Sequence, residues 1–300
     1  MTDKEQFETL DNGLLVRAPA KINLSLLIAG KRPDGFHEIE TVMAKINFYD
    51  EILIEPGQKS GIELLCKGPN WAPEGKENLV YQTAQLLLDN CKSQADIKIT
   101  LTKNIPAGSG LGSASSDAAA ALIGLNKYLN LGLSANKLAE LAVQLGSDVP
   151  FFLGGPLAFC SGKGEKIKKI RKKFDFLALL IFPNVSVSTK RVYENYKHDP
   201  ALYKELSTQI NKHLDKNRID LTVKVCANML LKSCFSLVKH LAEQKAKIES
   251  LGIRPVCLSG SGTSMFNIIE NGDVKKAEAY RDKLERQISC KSIIVNNNRW

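Results

Sequence analysis

The chain has 300 residues, 44% hydrophobic and 24% charged, which excludes a disulfide-stapled mini-protein and a disordered chain and suits two ordinary domains or one large α/β unit. No apolar run approaches the ~18 residues needed to cross a bilayer. The formal charge is +9, yet the seven basic residues between Lys163 and Lys173, against Glu165 alone, supply +6 of it; such a run reads as a solvated loop face, with an anionic partner as the competing reading.

The polar leader carries Asp3, Glu5, Glu8 and Asp11 and no apolar stretch, which speaks against a secretory or Arg-rich transit peptide. Leu14 to Ala18 and Ile22 to Ala29 read as strands, the second with Ile22, Leu24, Leu26 and Ile28 alternating against Asn23, Ser25 and Leu27. Gly30 to Gly35 turns the chain, and Ile39 to Phe48 and Glu51 to Glu55 are further strands. The chain therefore starts as a mainly antiparallel meander, which disfavours a Rossmann domain.

Asn78 to Asn90 has helical composition, and Ile97, Ile99 and Leu101 alternate with Lys98, Thr100 and Thr102 as in a strand with one wet face. A glycine loop follows, then an alanine-rich helix from Ser115 and a second helix from Ser134 with Leu138, Leu141, Ala142 and Leu145 on one face. The basic stretch ending near Phe174 marks a boundary before a buried strand at Phe176 to Phe182. Beyond it, helices are expected at Thr189 to Tyr196, Pro200 to His213, Ser233 to Ser250 and Asp273 to Ser289, with short strands at Val256 to Leu258, Met265 to Ile269 and Ile293 to Val295. The seven cysteines (Cys66, Cys91, Cys160, Cys226, Cys234, Cys257, Cys290) are odd in number, lack CxxC spacing and mostly adjoin apolar residues, as reduced core residues do. The expected compartment is the cytoplasm.

The strongest chemical signal is Lys103 to Asp117, KNIPAGSGLGSASSD. A strand ends, Gly108, Gly110 and Gly112 alternate with small residues, and a helix begins. Freed N–H groups at a helix N-terminus favour an anion, and side chains as small as Ser109, Ser113 and Ala114 let phosphate oxygens approach. Ser115 or Ser116 adds a hydroxyl for a phosphate or a magnesium ion. No Gly-Lys-Ser/Thr follows, so this is not a Walker A loop, and the spacing and preceding strands are wrong for a dinucleotide fingerprint. A glycine turn that merely caps a helix is the plainer reading.

This loop resembles the phosphate loop of the GHMP kinases. PAKINLSLLIAGKRPDGFHEIET (Pro19 to Thr41) resembles the first motif of the branch that acts on a cytidyl substrate, and LSGSGTSMF (Leu258 to Phe266) is similar to the superfamily's third, glycine-rich motif. With LGSDVPFFL (Leu145 to Leu153) and FPNVSVSTKRVY (Phe182 to Tyr193), the resemblance runs from residue 14 to about residue 295. It implies an α+β, two-domain fold, residues 1–170 and 171–300, with the active site in the cleft between domains. The implied reaction is transfer of the ATP γ-phosphoryl group to the 2-hydroxyl of 4-diphosphocytidyl-2-C-methyl-D-erythritol.

By the same resemblance, Asp148 accepts the proton from the substrate hydroxyl and Lys21 holds Asp148 ionised while polarising that hydroxyl. Phe36, His37 and Tyr193 hold the cytosine, and Asn23 and Thr189 hydrogen-bond the substrate. Asn78, Lys103, Pro106 and the loop residues Gly108, Ser109, Gly110, Gly112, Ser113, Ser115 and Ser116 surround ATP, accompanied by Mg2+; no protein metal ligand is identified. Read without the resemblance, Lys21 and Asp148 are ordinary surface charges or Asp148 a turn cap, His37 is a solvated loop residue and Asn78 a helix N-cap. Phe36 stands where the branch often has Tyr, Ser109, Ser113 and Ala114 stand in a loop usually richer in glycine, and Met229 replaces the Asp of a common Asn-Asp-Leu. The expected partner is the small cytidyl substrate, with no nucleic acid or membrane, and the chain is expected as a monomer or weak homodimer. Another small-alcohol kinase of the homoserine or mevalonate type, and a non-catalytic RNA-binding protein, are the alternatives.

Overall fold

The computed structural model describes residues 5–171 and 174–300. In chain order the strands and helices are β1 (Phe7–Leu10), β2 (Gly13–Lys31), β3 (His37–Pro56), β4 (Ile62–Lys67), α1 (Leu79–Cys91), β5 (Ile97–Thr102), α2 (Ser113–Tyr128), α3 (Ala135–Leu145), α4 (Val149–Leu153), β6 (Leu157–Gly162) and β7 (Lys166–Lys169). They continue with β8 (Leu177–Phe182), α5 (Thr189–Glu194), α6 (Pro200–Asp215), α7 (Ile219–Val225), α8 (Leu231–Leu237), α9 (His240–Ser250), β9 (Cys257–Leu258), β10 (Met265–Ile269), α10 (Val274–Ile288) and β11 (Lys291–Asn296). No helix of the described residues is long and apolar enough to cross a membrane.

Two sheets organise the chain. The first has the order β1-β2-β3-β5-β4, with β6 paired to β3 and β7 to β6; the second is β11-β8-β10-β9. The frame of the first sheet is the hairpin of β2 and β3, paired antiparallel from Leu14↔Ile54 to Lys31↔His37. The sequence pattern suggests a break at Pro19, but the strand runs through because the register shifts between Pro19 and Ala20, where a missing N–H is tolerated.

Across that shift the apolar residues change partners. Val16 and Ala18 pack with the alanines of α2, Ala118 to Ala121, while Ala20, Ile22 and Leu24 pack against Phe176, just before β8, and against Ala178, Leu180 and Phe266 of the second sheet. Period-two alternation then turns Lys21 and Asn23 away from that core. The alanines and Gly124 let α2 lie close to the sheet: a Cβ at Gly124 would stand 2.7 Å from Val16 Cγ2. At its far end the hairpin joins a third cluster, where Leu26 to Ile28 meet Leu179, Ile181 and Met265.

Several local expectations change. The helix expected over Ser233 to Ser250 is two, α8 and α9, interrupted at Val238 with φ −133°. The helix expected from Ser115 starts at Ser113, directly after Gly112 at φ +71°. Helix α7 and strands β1, β4, β6 and β7 carry patterns too short or too exposed to stand out. Lys166–Lys169 of the basic stretch is strand β7, paired with β6, while Lys172 and Lys173 lie outside the described residues. The reading of all cysteines as reduced is corrected: Cys226, just after α7, and Cys257 on β9 form a disulfide, a pairing across 31 residues that spacing could not reveal.

Candidate active site

Between β5 and α2 the chain makes three left-handed turns, at Gly108 (φ +64°), Gly110 (φ +78°) and Gly112 (φ +71°), which side chains other than glycine rarely adopt. Space forbids a side chain at two of them. A Cβ at Gly110 would meet the Ser259 carbonyl at 2.1 Å, and one at Gly112 would meet Phe152 at 2.9 Å and Lys21 Cγ at 3.0 Å. The β9–β10 turn is bonded to the loop: Ser259 Oγ donates to the Gly110 carbonyl at 2.9 Å, and Ser264 N to the Ser109 carbonyl at 3.0 Å. Opposite α2's free N-terminal N–H groups lies a cavity of about 1030 Å³.

Behind the loop is a buried charge cluster. Lys103 Nζ donates to Asp50 Oδ2, to Ser113 Oγ and, at 2.6 Å, to Asp117 Oδ2. Asp50 Oδ1 accepts from the N–H groups of Asn104 at 2.6 Å and Ile105 at 2.8 Å, fixing the loop's first residues. Burial pulls the Lys103 ammonium down, but Asp117 and Asp50 together hold its pKa above the usual value. Burial, with Asp50 adding to it against the pull of Lys103, raises Asp117 well above the ordinary carboxylate range, so the cluster favours one retained proton.

Lys21 is almost completely buried, and its Nζ lies 4.0 Å from Asp148 Oδ2. The same ammonium donates to Asn23 Oδ1; Asn23 Nδ2 donates to Thr41 Oγ1 at 2.8 Å, and Thr41 to the Ser25 carbonyl at 2.6 Å. This chain fixes the Lys21 head. Burial lowers the Lys21 pKa, and Asp148 opposes that shift. Asp148 sits at the N-terminal end of α4, and its side chain makes no capping hydrogen bond. Its carboxylate, 32% exposed, is left to the cleft. Neighbouring Cys160 is pushed up to about 12 by burial and by Asp148, so it stays a neutral thiol.

Also lining the cavity, the His37 ring lies 5.3 Å from Tyr193 and 5.8 Å from Tyr196, the latter edge-on. Burial, then Lys31 and His198, lowers the His37 pKa and favours the neutral imidazole, whose two nitrogens offer one donor and one acceptor. Burial and Asp148 raise the Tyr193 pKa, keeping its hydroxyl protonated. Phe36 is 55% exposed, and Lys163 Nζ lies over its ring at 4.7 Å. One residue of the basic stretch thus faces the cleft. Thr189 Oγ1 and Ser261 Oγ share a hydrogen bond at 2.9 Å.

Every site residue expected from the sequence borders this one cavity except Ser116, whose fully buried hydroxyl donates to the Pro19 carbonyl at 2.7 Å. Asn78 has two roles: its Oδ1 accepts from Val80 N at 2.9 Å as the N-cap of α1, and it borders the cavity beside Trp71 and Pro73. Ser109 and Ser113 have hydroxyls already committed, to the Pro106 carbonyl and to the Lys103 cluster. Sequence reading missed Asp50, Asp117, Trp71 and Tyr196. Asp50 left one trace, an acidic residue within a run of strand residues. Met229 is buried, with its Sδ accepting from Ile28 N at 3.3 Å; adjacent Asn228 donates to the Leu258 and Gly260 carbonyls, each at 2.9 Å.

The family described as GHMP kinases N terminal domain matches residues 78–156. The chain is 38% identical over 258 residues, 86% of its length and 89% of the relative's, to a 4-diphosphocytidyl-2-C-methyl-D-erythritol kinase of Geobacillus sp. (strain WCH70). It is 36% identical, with the same coverage, to the enzyme of that name from Bacillus cytotoxicus. Among solved structures it resembles a 4-(cytidine 5'-diphospho)-2C-methyl-D-erythritol kinase, with TM-score 0.73, 31% identity, 95% of this chain and 100% of that one covered. A homoserine kinase from Cytophaga hutchinsonii shares the fold, with TM-score 0.75, 20% identity, and 99% and 98% of the two chains covered.

Proposed function

The chain belongs to the 4-diphosphocytidyl-2-C-methyl-D-erythritol kinase family, a branch with the GHMP kinase fold, and on that premise we propose how its residues divide the work. The reaction moves the γ-phosphoryl group of ATP to the 2-hydroxyl of 4-diphosphocytidyl-2-C-methyl-D-erythritol, a step in non-mevalonate isoprenoid precursor synthesis. The observation that carries the assignment is the Lys21–Asp148 pair, 4.0 Å apart, standing between an anion-accepting loop and an aromatic pocket in one cavity.

Asp148 takes the proton as the acceptor oxygen attacks the γ-phosphorus, and the bond from that phosphorus to the ADP oxygen breaks. Lys21, held by Asn23 and paired with the Asp148 carboxylate, polarises the hydroxyl. The N–H groups of the Gly108–Gly112 turns and of the α2 N-terminus take phosphate oxygens. Asn78, with Trp71 lining the same cavity, borders the adenine end, and Lys103, bonded to Ser113, backs the phosphate loop. His37 reads the cytosine edge while Tyr193 and Phe36 stack on it, and Thr189 holds the substrate's polar chain.

Among the described residues no cluster of three metal-ligating side chains exists. The Ser115 hydroxyl and the Asp148 carboxylate border the cavity, and one or two protein oxygens beside phosphate oxygens suit Mg2+. They fit an ion carried in on ATP, which would neutralise charge on the transferring phosphoryl group. Sheet membership supports the division at 170/171, since β1 to β7 precede it and β8 to β11 follow. We assign the enzyme to the cytoplasm, where both charged nucleotides would be met, acting as a monomer or weak homodimer with no nucleic-acid partner.

A magnesium-dependent phosphotransfer assay with 4-diphosphocytidyl-2-C-methyl-D-erythritol, homoserine and mevalonate as parallel acceptors tests the reading. Product from the cytidyl acceptor alone is expected. Product from another alcohol alone would overturn the substrate assignment while leaving the fold.

A further inference from the structure

The strand register sets Lys21 directly opposite Lys45, so the two side chains leave the same face of the sheet. Lys21 reaches the N-terminal end of α4, at Asp148. Lys45 reaches the other end. Its Nζ donates to the Phe152 carbonyl at 3.0 Å and the Gly154 carbonyl at 2.8 Å, and its backbone N–H to the Pro156 carbonyl at 2.8 Å.

Helix α4 has five residues, too few to hold its own shape, and its last carbonyls have no partners within the helix. Lys45 supplies one to Phe152, and bonds the carbonyl of Gly154, the residue that ends the helix. It is 1% exposed, and among the described residues no carboxylate forms an ion pair with it, so the lysine occupies a place where an apolar residue would pack at lower cost. An amine keeps two N–H donors even when neutral, so both carbonyl bonds survive in either protonation state. On its other side α4 is anchored by the buried rings of Phe151 and Phe152, the latter against Gly112 of the glycine loop.

We propose that Lys45 is a positioning residue for phosphoryl transfer: by tying the last carbonyls of α4 to β3, next to Lys21, it fixes the short helix at both ends and so sets where Asp148 meets the acceptor hydroxyl. The proposal rests on reading Asp148 as the proton acceptor. It assigns Lys45 no contact with substrate, only control over the placement of a group that has one. Small displacements of such a group cost up to about 100-fold in rate.

The test compares wild type, Lys45→Met and Lys45→Gln in the phosphotransfer assay, with amide hydrogen exchange across residues 148–156 and thermal unfolding measured alongside. Lys45→Met is expected to lower kcat about 10-fold or more, to leave KM for ATP and acceptor within about twofold, to leave Tm no lower, and to speed exchange in α4. Lys45→Gln keeps an N–H donor and should recover part of kcat. A wild-type kcat in Lys45→Met, unchanged exchange in α4, or a kcat loss that only follows a fall in Tm would each overturn the proposal. Should Lys45→Met not fold, Lys45→Gln decides by the same kcat and exchange readouts. If wild type phosphorylates a different alcohol, the acceptor assignment fails by itself, and the comparison on that alcohol, with exchange, still decides the role of Lys45.

Discussion

The Ser259 hydroxyl donates to the Gly110 carbonyl at 2.9 Å, joining residues 149 apart in sequence. The glycine loop is therefore not a free turn before a helix; its middle residue is bonded to the β9–β10 turn of the other sheet. Gly110→Ala would bring a methyl group to 2.1 Å from the Ser259 carbonyl at a backbone φ of +78°. Neither backbone can yield cheaply, and the conformation alone costs about 1–2 kcal/mol. The expected result is a rise in KM for ATP of about 10-fold or more, with a lower Tm. Nucleotide titration checks it, and an unchanged ATP affinity would show that the loop and the turn need not touch.

Asp148→Asn keeps the shape at the head of α4 and removes the proton acceptor. The variant is expected to lose kcat by about 10²–10⁴-fold, with KM for both substrates little changed, because its side chain caps nothing. Steady-state kinetics on both substrates separates the outcomes. Equal loss of ATP binding would give Asp148 a structural role instead.

His37 lies 5.3 Å from the Tyr193 ring, and both line the same cavity. His37→Ala removes base-edge hydrogen bonds worth about 1–2 kcal/mol, so KM for the cytidyl acceptor should rise roughly 5- to 30-fold. KM for ATP should not move, since the ring contacts of His37 are with Tyr193 and Tyr196 and not with the glycine loop. A parallel rise for both substrates would mean that the pocket does not distinguish them.

What the sequence made legible was chemistry with a local signature. Three glycines in a small-residue frame announce a backbone that must turn left-handed, and Gly108, Gly110 and Gly112 all do. Lys21 and Asp148 were named only through the resemblance, because each alone is an ordinary charge. The partners that complete the site were not legible, since they are distant in the chain: Asp50 meets Lys103 across 53 residues, and a lone Asp in a strand pattern does not say which lysine it will find. Strand lengths were underestimated for a related reason. Pro19 reads as a break, and only the pairing of β2 with β3 reveals a shift in register that accommodates it.

Lys45 also predicts a pH dependence of stability. Burial lowers its pKa from the ordinary 10.5 to about 7, so between these values the unfolded chain holds a proton that the folded chain has released. Unfolding then takes up a proton, and stability due to this group rises with pH across that window, by up to about 1.4 kcal/mol per pH unit. Below about pH 7 both states are protonated and the contribution is flat at its least favourable. Lys45→Met has no such group. Urea unfolding of both chains from pH 6 to pH 9 isolates the effect, because other titrations, including that of buried Lys21, largely cancel in the difference. Wild type should gain on Lys45→Met above about pH 7; a difference that stays level over the whole range would mean that the amine is hydrated in the folded protein and not enclosed by α4 and β3.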